Sequence, residues 1–282
     1  MAKSSAIHGV TINIGDKVGD GTHATVTLNG KNPGMFITGD PNTGKSVFIN
    51  QMVASLLKTY DLTEMELFML DMKDMEWGRS GIMGATIDHI PQLQRLEGSK
   101  DPAAGVRVLE DIVSRMKERM RFITNTTYCD FCEAHPDLDL PRLVLIIDEW
   151  TRMFVETPDA IDQQAIECLR FIKDNCHLCG VNVIFCATNA SAVQLPEDIM
   201  KDLFTTRVAL KCTDEEFKET MGFSGTHQYP APYGYIYASI SGEEPQLYGV
   251  PYVRDEEFWA DGDDEKSEPT TILGKILARF RK

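Results

Sequence analysis

Short apolar runs alternate with longer amphipathic segments from about residue 33 to residue 255. Runs of four or five apolar residues are typical of buried parallel strands, and apolar residues at three- and four-residue spacings are typical of helices. Strands and helices that alternate along a chain indicate an α/β fold, in which a mainly parallel sheet is flanked by helices on both faces.

The segments with the clearest patterns define most of this sheet. The predicted strands are residues 35–38, 67–70, 143–147, 181–187, 207–210 and 234–238, and the predicted helices are residues 47–57, 104–123 and about 162–175. Ahead of them, residues 10–28 hold two short β-like runs around a turn-rich stretch at 15–21. This pattern predicts a small N-terminal β-hairpin at an edge of the fold.

Composition divides the chain into three parts: a hairpin segment (1–32), the main α/β domain (33–258) and a tail (259–282). The tail region is acidic up to residue 268, and residues 271–282 then mix apolar with basic side chains. That mixture predicts a basic amphipathic helix. Such a helix either packs on its own domain or docks to a partner or a membrane surface.

Bulk composition narrows the class of protein. The 282 residues, 43% of them hydrophobic, suffice for one large α/β domain. No stretch approaches the ~18 consecutive apolar residues of a membrane span, and the N-terminus lacks the apolar region of a signal peptide, so we expect a cytoplasmic protein. The net charge of −15 argues against a broad nucleic-acid-binding surface, although a local basic strip could still bind nucleic acid.

The strongest chemical signal is the sequence G-D-P-N-T-G-K-S between the first predicted strand and helix. In this pattern, glycines let backbone N–H groups face phosphates, the lysine reaches the β- and γ-phosphate oxygens, and the serine hydroxyl ligates Mg²⁺. We therefore expect ATP and Mg²⁺ as ligands, with Ser46 on the metal. The predicted nucleotide-binding residues are Gly39, Asp40, Pro41, Asn42, Thr43, Gly44, Lys45, Ser46 and Val47.

Asp148 and Glu149 follow the apolar run 143–147, so two carboxylates emerge together at the carboxyl end of a buried strand. Asp148 is predicted to anchor magnesium and Glu149 to be the base that polarises the attacking water, because phosphoryl transfer depends mainly on positioning and charge stabilisation. The alternative is an acid pair that only caps the next helix. With a phosphate loop upstream, the pair favours ATP hydrolysis coupled to motion.

One polar residue after the strand 181–187 is a further candidate for the site. Asn189 stands where a motor ATPase places a sensor of the γ-phosphate. The alternative is an ordinary asparagine in a turn at the end of a strand.

In this order, these residues resemble the FtsK/SpoIIIE family of ring-forming translocases over about residues 14–258. The resembling stretches are residues 39–50, 70–76, 114–119, 145–150, 180–189, 206–209 and 234–237. The first contains the phosphate loop and the fourth contains the two carboxylates. Two positions depart from the family pattern: Met72 replaces a proline, and Asn189 stands where a glutamine is usual.

The resemblance implies a RecA-like core, a hexameric ring around a central pore, active sites shared between neighbouring subunits, and translocation of a polymer. Double-stranded DNA is the first expected substrate, as in a chromosome pump or a conjugative coupling protein. The alternatives are a type VII secretion ATPase domain resembling EssC, which acts on a secreted protein, and a nucleotide-binding domain with little hydrolysis. A membrane-anchored partner or a missing membrane segment would hold the ring at the inner face of the cell membrane.

Members of this family usually carry an arginine ahead of the sensor strand that reaches the nucleotide of the neighbouring subunit. Residues 174–179 contain no arginine. Arg207 is the candidate for this trans-acting cation, and its alternative role is that of a surface or strand-end arginine. Residues 201–211, together with Arg170 and Lys173, could line a basic pore.

Seven cysteines, an odd number, indicate reduced thiols rather than a disulfide framework. Two Cys-x-x-Cys pairs have the spacing of a zinc half-site and could together form a four-thiolate structural zinc site. The alternative is that these thiols are small apolar residues of the core. The residues concerned are Cys129, Cys132, Cys176 and Cys179.

Overall fold

Ten strands form one sheet in the computed structural model, which describes residues 5–75, 77, 92–154, 160–188, 195–222 and 234–250. The strands are β1 (Val10–Lys17), β2 (His23–Leu28), β3 (Gly34–Thr38), β4 (Met65–Asp71), β5 (Leu93–Gly98), β6 (Arg142–Asp148), β7 (Val181–Ala187), β8 (Thr206–Ala209), β9 (Tyr235–Ser239) and β10 (Gln246–Gly249). Their order across the sheet is β2-β1-β10-β9-β8-β3-β7-β6-β4-β5.

The sheet has a parallel half and an antiparallel half. Strands β8, β3, β7, β6, β4 and β5 run parallel to one another. Strands β9, β10, β1 and β2 continue the sheet in antiparallel pairs. The predicted N-terminal hairpin is therefore confirmed as β1 and β2, and it lies at one edge of the sheet.

Helices cover both faces of the sheet, as the sequence predicted. They are α1 (Lys45–Thr59), α2 (Pro102–Arg119), α3 (Tyr128–Ala134), α4 (Ala160–Cys179), α5 (Glu197–Asp202) and α6 (Asp214–Met221), with two short 3-10 helices at Ser5–His8 and Trp150–Met153. Within the described ranges, no helix combines the length and the apolar character needed to cross a membrane.

Two apolar clusters, one on each face of the sheet, explain why the central strands are apolar at almost every position. Along β3, Phe36 packs against the layer formed by α2 and α4, and Ile37 packs against α1 on the opposite face. Phe185 and Ile184 divide in the same way along β7. Each such side chain contributes about 1.5–3 kcal/mol when it is fully buried, so the two helical layers are held on the parallel half of the sheet.

Some element boundaries differ from the predicted ones. Helix α2 begins at Pro102, and the side chain of Asp101, the residue before it, caps its N-terminus. The helix ends at Arg119 rather than at residue 123. The Arg119 guanidinium donates to the carbonyls of Cys179 and Pro141 at 2.7 and 2.6 Å. Helix α4 continues to Cys179, where Gly180 turns the chain at φ +65°. Strands β5 and β10 and helices α3, α5 and α6 are short elements that the apolar periodicity did not predict.

The hairpin segment is continuous with the main sheet, because Asp16 pairs with Gly249 and Lys17 pairs with Tyr248 between β1 and β10. The predicted division of the chain at residues 32 and 258 stays a prediction. The predicted tail 259–282 lies outside the described residues.

Candidate functional site

The loop between β3 and α1 has the backbone conformation of a phosphate cradle. Asn42 and Gly44 both have positive φ values, 62° and 96°, which turn the chain sharply just before the helix. Helix α1 begins at Lys45, and its capping residue, Gly44, has no side chain to accept hydrogen bonds from the first turn. The N–H groups at this end, including those of Ser46 and Val47, therefore face the position where phosphate oxygens would accept them.

Contacts with neighbouring segments fix the shape of this loop. The Thr43 hydroxyl donates to the Asp40 carbonyl at 2.8 Å, and the Asp40 N–H donates to the Lys211 carbonyl at 2.8 Å. A side chain at Gly39 would lie 2.9 Å from the Cβ atom of Leu210, so only glycine fits there. Pro41 is exposed at the loop surface. The loop is thus held against the end of β8 by contacts within the chain.

Strand register brings the acidic residue of β6 to the same edge of the sheet. Asp148 pairs with Asp71 of β4 on one side and with Cys186 of β7 on the other. The Asp148 side chain is buried, and its Oδ1 atom has no hydrogen-bond partner in the described part of the chain. Burial raises the pKa of Asp148 to about 6, against the opposing effect of the positive charges of Lys45 and Lys73.

A buried carboxylate oxygen without a partner is costly unless a ligand satisfies it. Asp148 therefore fits the position of a divalent cation, and the nearby Lys45, only 6% exposed, fits the phosphates of ATP. Ser46 is the second predicted metal ligand, and it lies in the first turn of α1. Magnesium bound here would neutralise phosphate charge.

Glu149 accepts hydrogen bonds from residues that follow β4 and β7, the two strands next to β6. It has a left-handed backbone, with φ 53°, and accepts hydrogen bonds from the N–H and the hydroxyl of Thr188 at 2.8 and 2.7 Å. Its carboxylate also forms an ion pair with Lys73. Burial alone would raise the pKa of Glu149, but the bonds from Lys73 and Thr188 outweigh burial and hold that pKa below its usual value.

The loop after β4 places Lys73 next to the Glu149 carboxylate. The Asp71 carboxylate accepts the backbone N–H groups of Lys73, Met75 and Trp77 at 2.8, 2.8 and 3.2 Å. The Trp77 indole N–H donates to Asn50 on α1 at 3.0 Å. The sequence analysis had placed Asp71 and Lys73 in a stretch that resembles the family. It did not predict that Lys73 and Thr188 contact Glu149.

An apolar cavity of about 330 Å³ lies beside the phosphate loop. Its walls come from the loop, α1, the residue after β8, β9 with the residue before it, and the residue after β10. These segments are far apart in the sequence. Val47 is the only wall residue outside the glycine pattern that the sequence had predicted to bind nucleotide. The lining residues are Asn42, Thr43, Gly44, Val47, Phe48, Gln51, Leu210, Gly234, Tyr235, Ile236 and Val250. This cavity fits a nucleobase next to bound phosphates.

Two further predicted site residues are Asn189 and Arg207. Asn189 lies outside the described residues. Arg207 donates from Nε, Nη1 and Nη2 to the backbone carbonyls of Phe204, Thr220 and Met200 at 3.2, 3.2 and 2.8 Å. These contacts within the chain favour the strand-end role for Arg207, and its trans-acting role stays a prediction.

The structure does not show the possible four-thiolate zinc site. Within the described ranges, which include all four cysteines, no group of three or more His, Cys, Asp or Glu side chains could hold a metal ion. Cys176 and Cys179 belong to the apolar cluster beneath α2 and α4, whereas Cys132 belongs to a separate cluster around α3. The Cys129 thiol donates to the Ile7 carbonyl at 3.1 Å. The two pairs therefore belong to different apolar clusters, in which Cys132, Cys176 and Cys179 are buried.

The chain combines a phosphate loop, a buried lysine and an aspartate whose Oδ1 atom has no partner among the described residues, followed directly by a glutamate. These features define a P-loop ATPase domain. The chain belongs to the FtsK/SpoIIIE family, whose model matches residues 5–222. This assignment confirms the family resemblance and the RecA-like fold class.

Relatives with this domain include two named DNA translocases. The chain is 26% identical over 198 residues to the DNA translocase SftA of Bacillus subtilis (strain 168), covering 68% of the chain and 19% of that protein. It is 23% identical over 229 residues to the DNA translocase FtsK of Chlorobaculum tepidum, covering 78% of the chain and 28% of that protein. The chain thus spans between a fifth and a third of the length of these curated relatives.

Solved structures share the fold at low identity. The conjugation coupling protein TcpA, in its monomer form with ATPγS, has a TM-score of 0.69 at 15% identity, with 96% of this chain and 70% of that one covered. The cytoplasmic domain of the type VII secretion ATPase EccC of Thermomonospora curvata has a TM-score of 0.70 at 17% identity, with 96% and 30% covered.

Proposed function

We propose that this chain is the ATP-hydrolysing module of a ring motor that translocates double-stranded DNA. The observation that carries hydrolysis is the convergence of Lys45, Asp148 and Glu149 where β3 and β6 end, since each supplies a different requirement of phosphoryl transfer. Family membership alone would be compatible with a domain that only binds nucleotide, whereas the presence of Lys45, Asp148 and Glu149 together favours turnover.

Each group has a distinct task in this proposal. Lys45 and the N–H groups at the start of α1 bind the phosphates of ATP, and the apolar cavity binds its base. Ser46 and Asp148 would hold magnesium, which neutralises phosphate charge. Glu149 orients the attacking water and accepts its proton.

The relatives support the proposed substrate, and the family resemblance supports the proposed assembly. SftA and FtsK are named DNA translocases, which supports DNA as the polymer that is moved. We propose a hexameric ring with shared active sites, in which Asn189 senses the γ-phosphate and Arg207 is a candidate for the cation supplied by a neighbour. A cytoplasmic ring held at the membrane by a partner or by a further segment completes the proposal.

A secreted protein is the second candidate substrate, and a specific observation favours it. Of the cations predicted to line a basic pore, Arg170 and Lys173 both pair with Asp198, at 3.8 and 2.9 Å. Paired cations neutralise fewer DNA phosphates. The net charge of −15 points in the same direction. A domain with little hydrolysis is the third candidate.

ATP turnover measured against protein concentration, with and without double-stranded DNA at low and moderate salt, tests these proposals. Glu149→Gln serves as the control, because it keeps the shape of the side chain but removes the base. Turnover above this control that rises with DNA supports the DNA motor. Turnover that is indifferent to DNA moves the assignment to the protein motor, and turnover equal to that of the control supports the domain with little hydrolysis.

A further inference from the structure

Three donors occupy the carboxylate of Glu149. Its Oε1 atom accepts the backbone N–H of Thr188, and its Oε2 atom accepts both the Thr188 hydroxyl and the Lys73 ammonium group. A carboxylate offers about four acceptor positions, so most of its capacity is filled. A general base needs a free lone pair directed at the water that it activates. In this position, Glu149 is poorly placed to be that base.

The three side chains form a closed triangle. Besides its pair with Glu149, Lys73 donates from Nζ to the Thr188 hydroxyl at 3.0 Å. The Glu149 side chain is 6% exposed and that of Lys73 is 23% exposed, so solvent competes little for these bonds. Hydrogen bonds to a charged group are among the stronger ones in proteins. The triangle therefore holds Glu149 firmly.

The backbone of Glu149 supports the same conclusion. A non-glycine residue at φ 53° is sparsely populated and persists where surrounding contacts fix it. The two bonds from Thr188 and the ion pair with Lys73 are the contacts that fix it here.

We propose that Thr188 and Lys73 are positioning residues that hold Glu149 in a resting position, and that Glu149 must leave the Thr188 hydroxyl before it can activate water. This inference rests on the proposed hydrolysis by Glu149. Lys73 follows Asp71, which pairs with Asp148 between β4 and β6, and its ammonium group contacts Glu149, the residue after Asp148, so Lys73 lies close to the phosphate site. A γ-phosphate bound there competes with Glu149 for Lys73, which gives the nucleotide a means of opening the triangle.

The test is the Thr188→Val substitution in the full chain, which keeps the backbone N–H and the side-chain shape but removes the hydroxyl. We expect kcat for ATP to rise about three- to tenfold, since one hydrogen bond to a charged group is lost from the resting state. The KM should change by less than about twofold, because the nucleotide contacts remain. Thr188→Ser restores the hydroxyl and should remove most of the increase.

Thr59→Val is the matched control, because Thr59 is exposed on α1 and its hydroxyl donates only locally, to the Ser55 carbonyl. Thr188→Ala repeats the test with a smaller side chain, and the same rise is expected. An unchanged or lower kcat in whichever of these two Thr188 variants folds overturns the inference.

Glu149→Gln, assayed in the same series, separates the two proposals. If the unsubstituted chain exceeds Glu149→Gln while Thr188→Val brings no rise, the resting position is overturned and hydrolysis by Glu149 stands. If the unsubstituted chain and Thr188→Val both equal Glu149→Gln, both proposals are overturned.

Discussion

The indole N–H of Trp77 donates a 3.0 Å hydrogen bond to Oδ1 of Asn50, and both residues are buried. This bond joins the loop that carries Lys73 to the helix that begins at Lys45. A buried hydrogen bond thus links the two segments that carry Lys45 and Lys73.

Asn50→Leu is expected to destabilise the chain by about 1–3 kcal/mol, because it leaves the buried indole N–H of Trp77 without its acceptor. Urea unfolding measures the change. Thr59→Leu, on the exposed part of α1, is the control, because the Thr59 hydroxyl donates only locally, to the Ser55 carbonyl. Equal stability of Asn50→Leu and the unsubstituted chain would show that the bond contributes nothing.

Lys45→Ala should weaken ATP binding by about tenfold to a hundredfold, because charge-assisted bonds to phosphate are lost. Calorimetric titration measures the affinity. Lys58→Ala, at the exposed end of the same helix, controls for loss of helical charge. Unchanged ATP binding in Lys45→Ala would refute the assignment of the phosphate loop.

The central strands and the phosphate loop could be predicted from the sequence because their signals are local. Residues 143–147 are apolar on both faces of a covered strand, and the glycine pattern marks a backbone shape that few other residues allow. The two consecutive carboxylates of Asp148 and Glu149 could be predicted as site residues in the same way, because they directly follow that strand.

Contacts between distant segments could not be predicted in this way. Lys73, Glu149 and Thr188 meet only because β4, β6 and β7 are neighbours in register. The Cys-x-x-Cys spacing suggested a metal site, yet spacing says nothing about where helix α4 directs Cys176 and Cys179. In the structure, both thiols are buried among apolar side chains.

Alkaline pH should destabilise the chain through these two thiols. Burial raises the pKa of Cys176 and of Cys179 from 9.0 to about 11. Because the unfolded chain releases these protons first, the stability they contribute is present below pH 9 and is lost as the pH rises toward 11. We expect the Tm to fall over this range and to fall less steeply in Cys179→Ala. Thr59→Ala, which removes no thiol, should keep the slope of the unsubstituted chain, and identical slopes in all three would show that the Cys179 thiol contributes nothing to the pH dependence.

Arg207→Met should lower stability by about 1–3 kcal/mol, because the carbonyls of Phe204, Thr220 and Met200 lose their donor. Thermal unfolding at low protein concentration measures this effect without any ring. Arg121→Met, which replaces an exposed arginine, is the control. A loss of turnover without a loss of stability would instead support the trans-acting role.

If the cavity beside the phosphate loop binds the base of ATP, filling it should weaken the binding of ATP but not that of a ligand that consists of phosphates alone. Gln51 lines this cavity from α1, and Gln51→Trp adds a bulky ring to a space that a nucleobase is proposed to fill. We expect ATP affinity to fall by about tenfold, equivalent to about 1.4 kcal/mol. Affinity for inorganic tripolyphosphate should stay within about twofold, because the loop and Lys45 are unchanged.

Competition against a fluorescent ATP analogue gives both affinities. Lys58→Trp places the same ring on the exposed end of α1 and controls for the tryptophan itself. Equal losses for ATP and tripolyphosphate would mean that the substitution distorts the phosphate loop. No loss for either ligand would mean that the base binds elsewhere. Only a loss confined to ATP assigns the cavity to the base, because the two ligands share their phosphates and differ in the nucleoside.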